Sequence, residues 1–258
     1  MHDSNLVIVA LDVPSREVAI TLANRLSPTQ CRLKVGMELY TAVGPQIIED
    51  LQRLGFQIFL DLKFHDIPNT VAGAIRSAAE LGVWMVNVHC LGGRKMMESA
   101  ENAVAGFPRE SRPLVIGVTI LTSMDGKDLE EVGIGGQAVL LSPDDSTDPK
   151  WDDQSSRYTH RVVAHLARLA FDAGLDGVVC SGQEVALVRF ATSETFVLVT
   201  PGIRLPVGNV DDQARIVTPQ TAISLGSNYL VVGRPITQAL DPSLALREFH
   251  DLALSARA

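Results

Sequence analysis

The sequence is short of several things, and each shortage removes a class of protein. Cysteine is scarce: Cys31, Cys90 and Cys180 are the only three in 258 residues. An odd number without CxxC spacing, each in or beside an apolar run, speaks against a disulfide framework or a zinc site and for reduced core thiols. Positive charge is outnumbered, with 22 Lys and Arg against 30 Asp and Glu and a formal net charge of −8. With no basic run either, a nucleic-acid surface is not expected. No apolar stretch is long enough to span a bilayer. The opening Met1-His2-Asp3-Ser4-Asn5 lacks the cationic and apolar blocks of a signal peptide. The expected location is the cytoplasm, without membrane attachment.

What is there is a 46% hydrophobic chain that can bury a large core as one domain. Short apolar runs alternate with amphipathic segments. Strands are expected at Leu6–Leu11, Arg32–Val35, Gln57–Lys63, Trp84–Cys90, Leu114–Leu121, Gly177–Cys180, Phe196–Thr200 and Tyr229–Val232. Helices are expected at Pro14–Leu26, Leu39–Leu54, Pro68–Leu81, Gly93–Val104, Tyr158–Ala173, Glu184–Phe190, Pro219–Leu225 and Ser243–Leu254. Asp125–Leu141 reads as short helical pieces. Ser142–Arg157, rich in Asp, Ser and Pro, reads as a surface insertion.

Eight strands, each followed by helical sequence, are the pattern of a (β/α)8 TIM barrel of the α/β class, here one domain over residues 1–258. A doubly wound open sheet is the competing arrangement, but no GxGxxG follows the first strand. The polar residues favour the barrel. Asp12, Lys34, Asp61 with Lys63, His89, Thr122, Ser181, Thr200 and Arg234 fall at strand ends or exits, which a closed barrel gathers at one mouth.

The densest of these positions is Asp61-Leu62-Lys63-Phe64-His65-Asp66-Ile67-Pro68-Asn69-Thr70. In a strand, residues i and i+2 share a face, so Asp61 and Lys63 should stand side by side. Charges of alternating sign at the exit of an apolar strand are costly to place without a purpose. A structural reading also exists: Asp61–Lys63 as an ordinary ion pair and Asp66 as a cap for the helix opened by Pro68. Asp12 could likewise cap the helix near Pro14. Val232-Gly233-Arg234-Pro235 suits a phosphate grip, because glycine admits an anion close to the backbone and a guanidinium binds two of its oxygens. It also suits a plain helix-entry turn. Arg204 and Gln213 bracket the preceding loop and could close over the same anion. His65 suits packing better than catalysis, and His89 suits a hydrogen bond to the site from below. No His, Asp or Glu cluster has metal-ligand spacing.

Taken together, these stretches resemble the orotidine 5'-phosphate decarboxylase family, in its bacterial form. The resemblance runs from about Leu6 to Ala239. Besides Asp61–Thr70 it covers Ala10-Leu11-Asp12, Leu33-Lys34-Val35-Gly36, Leu121-Thr122-Ser123, Val199-Thr200-Pro201-Gly202-Ile203-Arg204 and Val232-Gly233-Arg234-Pro235. The insertion at about 142–157 departs from the family pattern.

The resemblance implies cofactor-free and metal-free conversion of orotidine 5'-phosphate to UMP, the last step of pyrimidine nucleotide synthesis. Lys63 would protonate the C6 carbanion, Asp61 would stand by the substrate carboxylate, and Lys34 and Asp66 would complete the charge network. Asp12 and Lys34 would hold the ribose hydroxyls, while Thr122 and Ser123 face the pyrimidine. Gln213, Gly233 and Arg234 would hold the phosphate, with Arg204 at the edge. The same resemblance implies a homodimer in which Asp66 and Thr70 reach the partner's site. Two rivals differ in class. Related sugar-phosphate lyases share Asp-x-Lys-x-x-Asp but carry a magnesium ligand, typically Glu, on strand two, where this chain has Lys34. A phosphate-binding barrel that only senses a nucleotide would have no need of both lysines and all three aspartates.

Overall fold

A computed structural model describes residues 5–134, 154–205 and 217–257. Eight parallel strands close on themselves in sequence order: β1 (Val7–Ala10), β2 (Cys31–Gly36), β3 (Ile58–Phe64), β4 (Met85–His89), β5 (Leu114–Val118), β6 (Gly177–Val179), β7 (Val197–Thr200) and β8 (Tyr229–Val232). β8 pairs with β1 through Leu230 opposite Val7 and Val232 opposite Val9, which closes the ring. The expected TIM barrel is therefore the fold. The strands are nearly continuous apolar runs because both of their faces are covered.

Alternation along each strand divides the core in two. Ile8, Ala10, Phe59, Met85, Ile116, Val199 and Val231 fill the barrel interior. A larger set, including Val7, Val9, Leu33, Val35, Leu60 and Val86, packs outward against the helices. At the N-terminal end of the barrel the buried Arg32 guanidinium lies 4.0 Å from the centre of Trp84 and 5.1 Å from that of Tyr229. This cation–π plug leaves the other end as the opening.

The helical layer comprises α1 (Arg16–Ala23), α2 (Met37–Val43), α3 (Gln46–Arg53), α4 (Pro68–Glu80), α5 (Arg94–Asn102), α6 (Gly126–Glu131), α7 (Gln154–Asp172), α8 (Val185–Ala191), α9 (Pro219–Ser224), α10 (Arg234–Thr237) and α11 (Pro242–Ser255). Several boundaries differ from the sequence reading. The single helix expected over Leu39–Leu54 is two, α2 and α3, because Gly44 takes φ 76 and Pro45 follows it. A left-handed glycine ends one helix, and proline cannot continue it. β5 stops at Val118, so Leu121 belongs to the exit loop. α7 begins at Gln154, which puts the last four residues of the expected insertion into a helix. The rest of that insertion lies outside the described residues. Ser15, not Asp12, caps α1, its hydroxyl accepting the Val18 N–H. Among the described residues no helix is long and apolar enough to cross a membrane.

Candidate active site

The open end of the barrel is a cavity of about 400 Å³ lined from all eight strands or their exits. Its floor follows from strand parity. Asp12 lies two residues beyond Ala10, Lys34 two beyond Arg32, and Asp61 two beyond Phe59, so each continues an interior row at the mouth. Asp12, Lys34, Asp61 and Lys63 form one line of alternating charge. Lys34 Nζ lies 2.9 Å from Asp12 Oδ1 and 3.2 Å from Asp61 Oδ2, and Lys63 Nζ lies 2.7 Å from Asp61 Oδ1. Gly36 makes room for this line, since a Cβ there would come within 3.1 Å of both Asp12 Oδ1 and Lys34 Nζ.

The electrostatics follow from burial and partners. Burial opposes the charge on Lys34, but Asp61 and then Asp12 outweigh it and hold the ammonium above its ordinary pKa. Burial likewise opposes ionisation of Asp61, and Lys34, Lys63 and a hydrogen bond from Asn87 overcome it, holding the carboxyl below its ordinary range. The two lysines are not equivalent. The Lys34 side chain is 9% exposed and wedged between two carboxylates, whereas that of Lys63 is 27% exposed and faces the cavity.

The expected pairing of Asp61 with Lys63 is present, but not on a regular strand. Strand pairing of β3 with β4 slips between Leu60 and Phe64, and Lys63 has φ 51. It is the only non-glycine residue with positive φ among the described residues. Fully buried Asn87, on β4, lines the cavity beside this pair and escaped the sequence reading. Its one signal was a polar residue inside the apolar run of Trp84–His89, at the same parity as Met85.

Thr122, Ser123, Arg204, Gly233 and Arg234 line the cavity where the sequence put them, beside apolar walls from Val118, Ile120, Val179 and Pro201. Gln213 lies outside the described residues. Asp66 and Thr70 are exposed on the loop and first turn of α4 and do not line their own chain's cavity. Asp66 Oδ1 accepts the N–H of Ile67 at 2.6 Å and caps no N–H within α4.

Three strand-end residues depart from expectation. His89 does not line the cavity: its Nδ1 accepts from the Leu91 N–H, and its ring stacks on His65 at 5.5 Å. Burial, with smaller effects from His65 and Lys63, brings its pKa down to about 4. Thr200 points outward to Ser227, 2.8 Å away, because Val199 takes the interior parity. Ser181 sits in an adjoining chamber beside Glu184, whose carboxylate accepts its N–H.

Fold and site together define the class: a (β/α)8-barrel enzyme whose mouth pairs a row of positioned charges with an arginine suited to an anion. The family follows from comparison. The family model described as orotidine 5'-phosphate decarboxylase / HUMPS family matches residues 5–249, and the chain belongs to that family. The orotidine 5'-phosphate decarboxylase of Chromobacterium violaceum is 52% identical over 244 residues, covering 95% of this chain and 90% of its own. That of a Marinomonas species is 50% identical over 251 residues, 97% of each chain. The crystal structure of the Lactobacillus acidophilus orotidine 5'-phosphate decarboxylase superposes with a TM-score of 0.77 at 36% identity, covering 96% of this chain and 99% of that one. A Pyrococcus horikoshii structure at 22% identity shares the fold, with a TM-score of 0.71 and the same coverage.

Proposed function

We propose that the chain decarboxylates orotidine 5'-phosphate to UMP in the cytoplasm, without metal or cofactor. The observation that carries this reading is the unbroken row Asp12–Lys34–Asp61–Lys63, with contacts of 2.9, 3.2 and 2.7 Å, on the floor of a mouth that also holds Arg234. When the bond from C6 to the carboxylate breaks, carbon dioxide leaves and the electron pair stays on C6, in the ring plane. Ring delocalisation does little for that pair, so positioned charge must stabilise it.

Lys63 is the more accessible cation and is suited to this task. A unit charge at ~4 Å is worth about 4 kcal/mol at an effective dielectric near 20. It counts towards rate because its partner becomes more basic as the carboxylate departs. The ammonium then gives its proton to C6, and solvent restores it. Asp61, held ionised by both lysines, stands beside the substrate carboxylate. Asp12 and Lys34 hold the ribose hydroxyls, Thr122 and Ser123 face the pyrimidine, and Gly233, Arg234, Gln213 and Arg204 take the phosphate.

Asp66 and Thr70 belong to a partner's site in this reading. Both are exposed here, as is neighbouring Ile67, so this turn is open to a second copy. The magnesium-dependent rival fares badly on donor chemistry. The space a divalent ion would share between Asp12 and Asp61 is filled by the Lys34 ammonium.

The deciding experiment follows UMP formation from orotidine 5'-phosphate with a strong chelator present. Sustained turnover is expected. No UMP would overturn the reading, and turnover lost only with chelator would favour the metal-dependent rival.

A further inference from the structure

Asn87 touches both members of the Asp61–Lys63 ion pair. Leu60 pairs with Val86 and Phe64 with Val88, so Asp61, Leu62 and Lys63 of β3 lie opposite Asn87 alone. β3 therefore carries a bulge at the site, and Lys63 sits on it with φ 51. A left-handed backbone is strained for a side-chain-bearing residue and persists only where its surroundings hold it. Here Asn87 does so. Its Oδ1 accepts the Lys63 N–H at 2.8 Å, within the stretch where the strand register slips. Its Nδ2 donates at 2.7 Å to Asp61 Oδ1, the same oxygen that receives the Lys63 ammonium at 2.7 Å. One rigid amide thus ties the backbone of Lys63 to the carboxylate that its own side chain meets.

We propose that Asn87 is a positioning residue for the decarboxylation, locking the β3 bulge so that Lys63 and Asp61 present their charges in one fixed geometry. The proposal rests on the decarboxylase reading above. Only a side chain with an acceptor and a donor in one plane, at this length, satisfies both partners. A misplacement of about 1 Å at a reacting centre costs on the order of 100-fold in rate.

Asn87→Asp separates positioning from packing. It keeps the shape and the acceptor for the Lys63 N–H, but turns a second carboxylate oxygen towards Asp61. Two carboxylates so close hold a shared proton more tightly than either alone. Once protonated, the pair again carries one negative charge and one hydrogen bond, as Asp61 with Asn87 does. The groups facing it are Lys34 from β2 with Asp12 behind it, Lys63 from β3, and His89 with its neighbour His65 further along. Ile116 and Val118 of β5 add no charge.

At about pH 8, Asn87→Asp should lose about 100-fold in kcat with KM within about fivefold. Its kcat relative to wild type should then rise at least about tenfold towards pH 5.5 as the pair takes up its proton. Asn87→Ala should show the loss without the acid recovery. A kcat for Asn87→Asp within about threefold of wild type, a ratio indifferent to pH, or a defect in KM alone would each overturn the assignment. If Asn87→Asp does not fold, the kcat-against-KM split of Asn87→Ala decides. If neither folds, Asn87 is a structural residue and the assignment falls. An inactive wild type would instead refute the decarboxylase reading, so the two failures are distinguishable.

Discussion

Lys34 and Lys63 are the same residue type in neighbouring strands, yet their surroundings give them different work. Lys63→Ala should fold with near wild-type stability, since the lost ion pair is partly exposed and Asp61 keeps Lys34 and Asn87. Its turnover should drop by about 10²–10⁴-fold, the range for losing a positioned proton donor, and substrate affinity should fall less. Steady-state kinetics beside a thermal melt checks both. Lys34→Ala should be damaging on both counts. It removes the buried cation shared by Asp12 and Asp61, leaving the buried Asp61 one cation instead of two and a void where the Lys34 stem packed. Urea unfolding would show the difference. These charged residues were legible in the sequence because a lysine inside an apolar strand has few places to go. Asn87 was not, since a neutral amide in a strand gives no hint of a partner two strand positions away from regular register. Thr200 misled because its place at a strand end was read without its parity.

Among the elements, β3 and its exit hold most of the chemistry, and the neighbouring β4 exit sets an acid limit. His89 is held at about 4 in the fold, against ~6.5 when unfolded, so the unfolded chain binds the proton more readily between those values. Stability should therefore fall as pH drops from about 6.5 towards 4, by at most about 1.4 kcal/mol per pH unit from this group. Asp61 acts lower down: its carboxyl is held below the ordinary range, so its contribution is present above about pH 4 and is lost as pH falls through the folded value. His89→Phe should remove the first loss and leave the second, as read from urea midpoints at pH 7, 5 and 3.5. The short element α10 supports a separate test. Arg234 lines the mouth directly after Gly233, so orotidine without its phosphate should be a far poorer substrate in kcat/KM, and Arg234→Ala should imitate that defect. Equal reaction of nucleoside and nucleotide would refute the phosphate role. All eight strands were visible in the sequence because each is an apolar run buried on both faces. The bulge in β3 was not, because it arises from pairing with β4, and the break between α2 and α3 hid in a Gly-Pro pair within an otherwise helical pattern.

At the scale of the molecule, the closed barrel gathers the interior-facing Asp12, Lys34, Asp61 and Asn87 at one opening but leaves Asp66 outside it. If Asp66 acts in a partner's site, inactive Lys63→Ala and Asp66→Ala should rescue each other on mixing under conditions of subunit exchange. Random exchange makes half the dimers hybrid, and each hybrid has one intact site, so about a quarter of all sites should recover by that symmetry. No recovery after verified exchange would return Asp66 to its own chain. The three native thiols offer a second route to the same question. Cys31, Cys90 and Cys180 are all buried, and burial pushes each thiol well above its ordinary pKa, Cys31 and Cys90 to about 12. They hold almost no thiolate at neutral pH and are closed to reagents. The folded protein is therefore a blank background for thiol labelling: a single Asn69→Cys on the exposed start of α4 would be the one site a maleimide can find. Its labelling rate, followed on dilution, would report whether a second copy covers that turn.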